Sequence, residues 1–149
     1  MLKRNYEGQV CSIARTLELV GERWTLLIVR DLFLGLTRFD EFLDSLGIAS
    51  NVLTDRLNRL VDEGIVERVP YSDRPQRFEY RLTAKGRELR VTLLALMQWG
   101  DRHLSEKPPR VARRRSDHSR VSVALVAADG TAVELSDLEV VPGPGAAGA

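Results

Sequence analysis

The stretch from Gly47 to Leu82 constrains the fold of this 149-residue chain more than any other. Gly47 suits a turn, and in the segment SNVLTDRLNRLVDEG that begins soon after it, apolar residues recur at spacings of three and four. The recurring positions are Leu53, Leu57, Leu60 and Val61. This period predicts a helix that begins at a Ser50 cap, buries one leucine face and ends at Gly64.

Two alternating segments follow this helix and predict a β-hairpin. IVERV and FEYRL have the period of two that is typical of half-buried strands, and PYSDRPQR separates them. Pro70 and Pro75 are expected to keep this connection extended and non-helical. A turn, a helix and a hairpin with a basic loop, in that order, are the layout of a winged helix-turn-helix, a module that reads DNA.

Three helices are predicted before this module. The first runs from a Ser12 cap to about Val20, and the second, from Trp24 to Leu34, is apolar on nearly every face, as in a helix packed on several sides. The third follows Thr37 in RFDEFLDSL, where two acidic residues of the first turn favour the positive end of a helix. It is the expected first helix of the helix-turn-helix.

A last helix is predicted from a Thr83 cap through Ala84 to about Leu104, and it carries more apolar residues than one face needs. The main stripe is Leu89, Leu93, Leu96, Met97 and Leu104, with further apolar residues at Val91, Leu94 and Trp99. Because one small domain cannot cover all of them, the surplus suggests pairing with the same helix of a second subunit. The alternative is that the chain's own first helix covers the surplus.

The composition changes after Pro108 and Pro109. The basic segment RVARRRSDHSR leads into VSVALVAADGTAVEL, whose alternation and Asp-Gly pair are typical of a hairpin, and the end, PGPGAAGA, should be disordered. We predict a winged domain over residues 1–107, a linker and small β-hairpin appendage over 108–141, and a tail over 142–149. The fold class is α+β, mainly α, with N- and C-terminal helices available for dimerisation.

Charge and cysteine content limit the binding partners and the cellular compartment expected for the protein. Twenty-two basic and 21 acidic residues give a formal charge of +1, so nucleic-acid binding would depend on local placement of charge. The single cysteine, Cys11, excludes an intramolecular disulfide and suits a reducing compartment. The longest apolar run is far shorter than the roughly 20 residues that span a bilayer, and the N-terminus lacks the apolar core of a secretory signal. We expect a cytoplasmic protein without membrane contact.

Several short motifs occur in an order and spacing that resemble one family. They are Cys11 before the first helix, Gly-x-x-Trp-Thr-Leu-Leu-Ile at 21–28, Thr-Arg-Phe at 37–39, Leu-Thr-x-Arg-Leu at 53–57, Glu-Tyr-x-Leu-Thr at 79–83 and Trp-Gly at 99–100. Over roughly residues 9–104 the chain resembles the HxlR-type regulators, a branch of the winged helix-turn-helix superfamily close to the MarR-like proteins. The resemblance implies a homodimeric bacterial transcriptional regulator that binds a palindromic DNA operator, with repression as its expected action.

The chain departs from that family in two places. Ser12 follows Cys11 where the family often has proline, so the cysteine lacks a rigid neighbour. Residues 110–149 contain no cysteine. The zinc-ribbon remnant that some relatives resemble in their C-terminal appendage is therefore not expected here, and we predict no metal site.

The predicted helix at Ser50 would present its polar face to the major groove once its leucines are buried. Asn51 and Arg59 are the strongest candidates for contact with base edges, and Ser50 and Thr54 flank them near the helix start. Asp55 could accept a hydrogen bond from a cytosine amino group or orient Arg59, and both roles stay open.

Four further arginines are candidates for contact with the DNA backbone or the minor groove. Arg38, at a helix start, and Arg56, on the flank of the recognition helix, suit phosphates, which fix register without reading sequence. Arg74 and Arg77 lie in the predicted wing, where an arginine can enter a narrow A·T-rich minor groove. For each of the four, the alternative is a solvated side chain or an intrachain ion pair.

Two candidate signal inputs follow from the sequence. Cys11 lies just before the first helix, where backbone amides would favour its thiolate, and the resemblance implies a sensor of oxidants or electrophiles there. The alternative is an inert thiol. The second candidate is a small apolar ligand held between the first and last helices near Trp24 and Trp99, against a plain core role for both tryptophans.

An enzyme is not expected, because the chain has no phosphate-binding glycine loop, metal-ligand cluster or nucleophile-base motif. Neither His103 nor His118 has an arrangement typical of a metal site or a catalytic base, and no cofactor is expected. The remaining alternative is a winged helix that binds protein partners instead of DNA. Asp55 and the near-neutral charge favour this alternative, whereas Asn51, Arg59 and the wing arginines count against it.

Overall fold

Four helices precede a long β-hairpin, and two helical segments and a small hairpin follow it. The computed structural model describes residues 11–146. Within that range the elements are α1 (Ser12–Val20), α2 (Thr25–Phe33), α3 (Phe39–Leu46), α4 (Ser50–Asp62), β1 (Val66–Asp73), β2 (Gln76–Leu82), α5 (Ala84–Arg87), α6 (Leu89–His103), β3 (Leu125–Val126), β4 (Ala132–Val133) and a short 3-10 turn (Leu135–Asp137). The predicted class, α+β with mainly α structure, is confirmed.

The described residues divide after Leu93 into two units. The expected absence of a secretory signal concerns an N-terminal segment that lies outside the described residues, as do the last three residues of the tail predicted to be disordered. Residues 11–93 form the first unit and residues 94–146 the second.

The core of the first unit lies between three helices and the base of the long hairpin. Its fully buried apolar residues are Ile28 and Val29 of α2, Phe42 of α3, Leu53, Leu57 and Leu60 of α4, and Val66 of β1. The three leucines of α4 are spaced by four and three residues, so they share one face, as the sequence predicts. Gly47, at φ +62°, makes the turn between α3 and α4. The helix-turn-helix is therefore held by the leucine face of α4.

Two predicted helix caps are wrong by one residue. The N-caps are Cys11 for α1 and Ala49 for α4, neither of which caps its helix with a side chain. Both have extended backbone angles, so Ser12 and Ser50 already lie inside their helices. The predicted Thr83 cap is confirmed, because its hydroxyl accepts a hydrogen bond from the amide of Gly86.

The long hairpin, called the wing below, has longer strands than predicted. Most residues predicted to form its loop are paired, and only Arg74 and Pro75 lie between the strands. Pro70 stands inside β1 opposite Phe78, next to a β-bulge. A two-stranded ribbon has only edge strands, which tolerate the missing amide of proline. The predicted first strand therefore ended too early, and the predicted second strand began too late.

The predicted last helix is interrupted at Glu88, although that residue keeps right-handed helical angles (φ −65°, ψ −22°). No residue of α6 is buried. Leu96 is 53% exposed, and Leu104, just beyond the helix, is 76% exposed. The single chain therefore leaves these two residues of the apolar surplus uncovered.

The second unit combines the end of α6 with the predicted appendage. Gln98 of α6 binds an extended segment, since its Nε2 donates to the Val121 carbonyl at 2.9 Å and its Oε1 accepts from the Val123 amide at 2.8 Å. β3 and β4 pair in antiparallel fashion, with Leu125 opposite Val133. The predicted hairpin around the Asp-Gly pair is confirmed.

Candidate nucleic-acid interface

The face of α4 opposite its buried leucines is polar and open to solvent. Its exposed residues are Ser50, Asn51, Thr54, Asp55, Asn58 and Asp62. The Thr54 hydroxyl donates to the Ser50 carbonyl at 2.9 Å, which leaves the hydroxyl oxygen able to accept. Amides, hydroxyls and carboxylates on one exposed helix face supply the donors and acceptors that base edges pair with.

Arg56 of α4 is held by groups within the chain. Its Nη1 lies 3.0 Å from Glu22 Oε2 and 2.5 Å from Asp55 Oδ2, and its Nε donates to the Arg23 carbonyl at 3.2 Å. Its side chain is only 19% exposed. The structure therefore shows for Arg56 the intrachain ion pair that the sequence left as an alternative, with Asp55 oriented toward Arg56.

Arg59 also has partners outside α4. Its Nη2 donates to the Glu18 carbonyl at 2.6 Å, and its Nη1 lies 4.0 Å from Glu22 Oε1. Glu18 is 41 residues away in the chain, so a local pattern in the sequence could not reveal this contact. Arg56 and Arg59 together fasten α4 to the end of α1 and to the turn that follows it.

The tip of the wing carries two arginines. Arg74 and Arg77 are exposed, and neither side chain makes a hydrogen bond or an ion pair with any residue in the part of the chain that the structure describes. Farther from the tip, Arg81 is paired with Glu79, and the Arg68 guanidinium lies 4.3 Å from the centre of the Phe78 ring. Within the wing, the two guanidinium groups at the tip are thus available to an external anion.

Arg38 lies between the helix-turn-helix and the wing. It is the exposed N-cap of α3, and its guanidinium lies 4.4 Å from the centre of the Tyr71 ring in β1. Glu41 Oε2 accepts hydrogen bonds from the amides of Thr37 at 2.8 Å and Arg38 at 2.9 Å. These two bonds lower the pKa of Glu41, because they favour the ionised carboxylate.

The candidate sensor and ligand residues differ in exposure. Cys11 is an exposed free thiol at the start of α1. Trp24, in the first unit, is partly buried against the core, with its backbone in the left-handed region at φ 81°. Trp99, in the second unit, is exposed and lies 4.9 Å from the His103 ring.

Neither a metal site nor a membrane span is found in the described part of the chain. Residues 11–146 contain no group of three or more histidine, cysteine or acidic residues that could hold a metal ion. No helix in the same range is long and apolar enough to cross a membrane.

A helix-turn-helix with an adjacent wing defines a class of DNA-reading folds, and comparison with known proteins gives the family. Residues 19–108 match the family described as HxlR-like helix-turn-helix. The chain therefore belongs to the HxlR-like family, as its motifs predicted. Its relatives are transcriptional regulators, so the expectation that it is not an enzyme is confirmed.

One curated relative and two solved structures illustrate the likeness. The uncharacterized HTH-type transcriptional regulator Rv3095 of Mycobacterium tuberculosis is 43% identical over 147 residues, which are 97% of this chain and 92% of that protein. The structure of PA1607, a candidate transcription factor, matches at 39% identity with a TM-score of 0.80, over 90% of this chain and 96% of that one. The oxidized form of the redox regulator HypR matches at 32% identity with a TM-score of 0.59, over 64% of this chain and 99% of that one.

Proposed function

We propose that this transcriptional regulator acts in the cytoplasm as a homodimer that binds a palindromic DNA operator and represses the adjacent genes. The exposed polar face of α4 carries this proposal, together with Arg74 and Arg77 at the wing tip, whose side chains have no partner among the described residues. The helix would enter the major groove, and the wing arginines would contact the minor groove or the phosphates beside it.

Base recognition would fall mainly to the first two turns of α4. Asn51 is the strongest candidate, because its amide can donate to and accept from one adenine at the same time. The Ser50 and Thr54 hydroxyls lie beside it on the exposed face. Arg59 is held by the Glu18 carbonyl in the free protein, so in this proposal it positions α4 and does not read a base.

Phosphate contacts would fix the register of the protein on the duplex. Arg38 suits this role because it is exposed beside the wing while its stacking on Tyr71 limits its freedom. Arg56 is less available, since Glu22 and Asp55 already neutralise it. We therefore assign Arg56 a phosphate contact only if DNA displaces one of these carboxylates.

Exposed apolar residues on the terminal helices support the homodimer. On α1, Ile13 is 71% exposed, and on α6, Val91, Leu96 and Trp99 are exposed as well. Burying apolar surface contributes about 25 cal/mol per Å², so a second copy is the simplest cover for these faces. A two-fold axis between the copies would set two α4 helices against half-sites about one helical turn apart.

The arginine contacts offer a route by which a signal could reach the recognition helix. Arg56 and Arg59 join α4 to Glu22, Arg23 and the Glu18 carbonyl, so a shift of α1 would disturb the position of α4. Modification of Cys11, exposed at the start of α1, is our first candidate for such a signal, and the likeness to the redox regulator HypR supports it.

A small apolar ligand bound near Trp24 or Trp99 is the second candidate for the signal. Treatment of wild-type and Cys11→Ser protein with the thiol oxidant diamide distinguishes the two candidate signals. If Cys11 is the sensor, oxidant releases wild-type protein from DNA and leaves the variant bound. Equal release of both proteins would exclude Cys11, and an unmodified thiol in wild-type protein by mass spectrometry would do the same.

Selection from random genomic fragments tests the proposed function. We expect purified protein to retain fragments that share a two-fold symmetric sequence, and an Arg74→Gln/Arg77→Gln double variant, whose fold should be unaffected, to retain less DNA. If neither protein enriches any site while circular dichroism shows both folded, the DNA-binding proposal is wrong. A winged helix that binds protein partners would then be favoured.

A further inference from the structure

The segment Lys107–Arg120 concentrates the positive charge of the chain. It contains six basic residues and one acidic residue, whereas the rest of the chain has more acidic than basic residues. The basic residues are Lys107, Arg110, Arg113, Arg114, Arg115 and Arg120. None of them belongs to α4 or to the wing, so the proposed reading of the operator leaves this charge unexplained.

Part of this segment folds into a tight hairpin, called the basic hairpin below, that spans residues 112–121. The Val121 amide donates to the Ala112 carbonyl at 3.0 Å, and the Arg114 amide donates to the Ser119 carbonyl at 2.7 Å. Between these bonds, Arg113 and Arg120 pair as an antiparallel bridge. Hydrogen bonds therefore fix the backbone at Arg113 and Arg120.

The bridge places two arginines directly opposite each other. Side chains at opposite positions of an antiparallel pair project from the same face, with Cβ atoms roughly 5 Å apart. Like charges in this arrangement repel each other and weaken the pair. An anion bound between Arg113 and Arg120 would attract both side chains and offset their mutual repulsion. A phosphate suits this position because the arginine fork matches its oxygens.

The acidic residue of the basic hairpin does not supply that anion. Asp117 Oδ2 accepts from Arg114 Nη1 at 3.0 Å, and its Oδ1 accepts from the Ser119 amide and hydroxyl at 3.0 and 2.7 Å. The bonds from Ser119, followed by the one from Arg114, lower the pKa of Asp117. In the described part of the chain, Arg113 and Arg120 have no side-chain hydrogen bond or ion pair.

A recess beside the basic hairpin is lined by two arginines and one acidic residue. Its volume is about 220 Å³, and its lining includes Arg120, Arg102 and the carboxylate residue Asp101. All of the lining residues lie between Met97 and Ser122, within the second unit. Arg120 thus adjoins both the bridge and a space that an anionic group can enter.

We propose that the basic hairpin is a second DNA contact, in which Arg113 and Arg120 bind phosphate groups of the duplex backbone. The proposal rests on the proposed DNA-binding function. Duplex DNA is favoured over an acidic protein surface because the chain belongs to a helix-turn-helix family of transcriptional regulators. Such contacts position a protein without reading sequence, so this site adds affinity and salt dependence and leaves the preferred operator sequence unchanged.

A salt titration of the full chain on its selected duplex tests this site. The test variant is Arg113→Gln/Arg120→Gln, and Arg114→Gln is the control because Asp117 already pairs with Arg114. Each lost phosphate contact lowers the slope of log affinity against log salt by about 0.9. We expect a decrease of about 1.8 per chain for the double variant and little change for the control.

The outcomes separate this proposal from the one on which it rests. An unchanged slope for Arg113→Gln/Arg120→Gln, while Arg74→Gln/Arg77→Gln lowers it, overturns the second contact and leaves the proposed function intact. Weaker self-association of the double variant in sedimentation, with an unchanged slope, also overturns it, since the arginines then meet a second copy. If wild-type protein retains no duplex at all, both proposals fail.

Discussion

Arg77→Gln should weaken DNA binding and reduce its salt dependence, whereas Arg81→Gln should do neither. Both arginines are exposed and lie four residues apart on β2, hence on the same face of the strand. Arg81 is neutralised by Glu79, but the Arg77 side chain has no hydrogen bond or ion pair with any residue in 11–146. Each variant removes one formal charge. The comparison of the two variants therefore isolates the effect of losing an unpaired guanidinium.

The size of the effect follows from counterion release. One lost phosphate contact lowers the slope of log affinity against log salt by about 0.9, and therefore by about 1.8 for a dimer. Over a fourfold rise in salt, from 50 to 200 mM, the advantage of wild-type protein over Arg77→Gln should shrink by about 12-fold. A smaller decrease would show that only part of the Arg77 charge reaches the DNA.

Fluorescence anisotropy with a labelled duplex, at four or more salt concentrations, measures these slopes. Thermal unfolding followed by circular dichroism verifies that both variants keep the wild-type fold. Parallel lines for wild type and Arg77→Gln would refute the assignment of the wing to DNA. Equal decreases for Arg77→Gln and Arg81→Gln would show that net charge, and not the wing tip, sets the salt dependence.

Two further predictions concern stability. Gly86→Ala should destabilise the protein by about 1–3 kcal/mol in urea unfolding, because the new Cβ would lie 2.1 Å from the Ile65 carbonyl oxygen. At Gly100 a new Cβ would meet no atom of residues 11–146 within 4 Å, so Gly100→Ala should stabilise α6 by about 0.5–1 kcal/mol. An unchanged stability of the Gly86→Ala protein would contradict this packing. Glu41 has a lowered pKa in the folded protein, so unfolding takes up a proton near and below its usual 4.5 and stability falls as the pH drops. Glu41→Gln should flatten that part of the pH profile, and parallel profiles would argue against the two amide hydrogen bonds.

Local periodicity was enough to predict the helix-turn-helix. Leu53, Leu57 and Leu60 repeat at helical spacing and are all buried, because one face of α4 must cover the core. Gly47 has the positive φ that a tight turn demands. The exact first residue of the helix was not predicted correctly. Ser50 was predicted as the cap, but Ala49 has the extended backbone angles that a cap requires.

Contacts between distant segments could not be predicted from local pattern. Arg59 fits a base-reading role by helical phase alone, yet its guanidinium donates to the Glu18 carbonyl, 41 residues earlier. The paired length of the wing was also underestimated. Proline usually ends a strand, but Pro70 is accommodated here in an edge strand beside a bulge. The opposed arginines of the basic hairpin depend on the pairing of Arg113 with Arg120, which composition does not reveal.

Parallel DNA selections with wild-type protein and Asn51→Ala test most directly the claim that α4 reads base edges. We predict that wild-type protein selects a two-fold symmetric site with half-sites about one helical turn apart. Asn51→Ala should lose its base preference at one position in each half-site, with a penalty of about 1–3 kcal/mol per contact, and keep the remaining sequence. Selection of an identical site by both proteins, or of no symmetric site by wild-type protein, would contradict the claim.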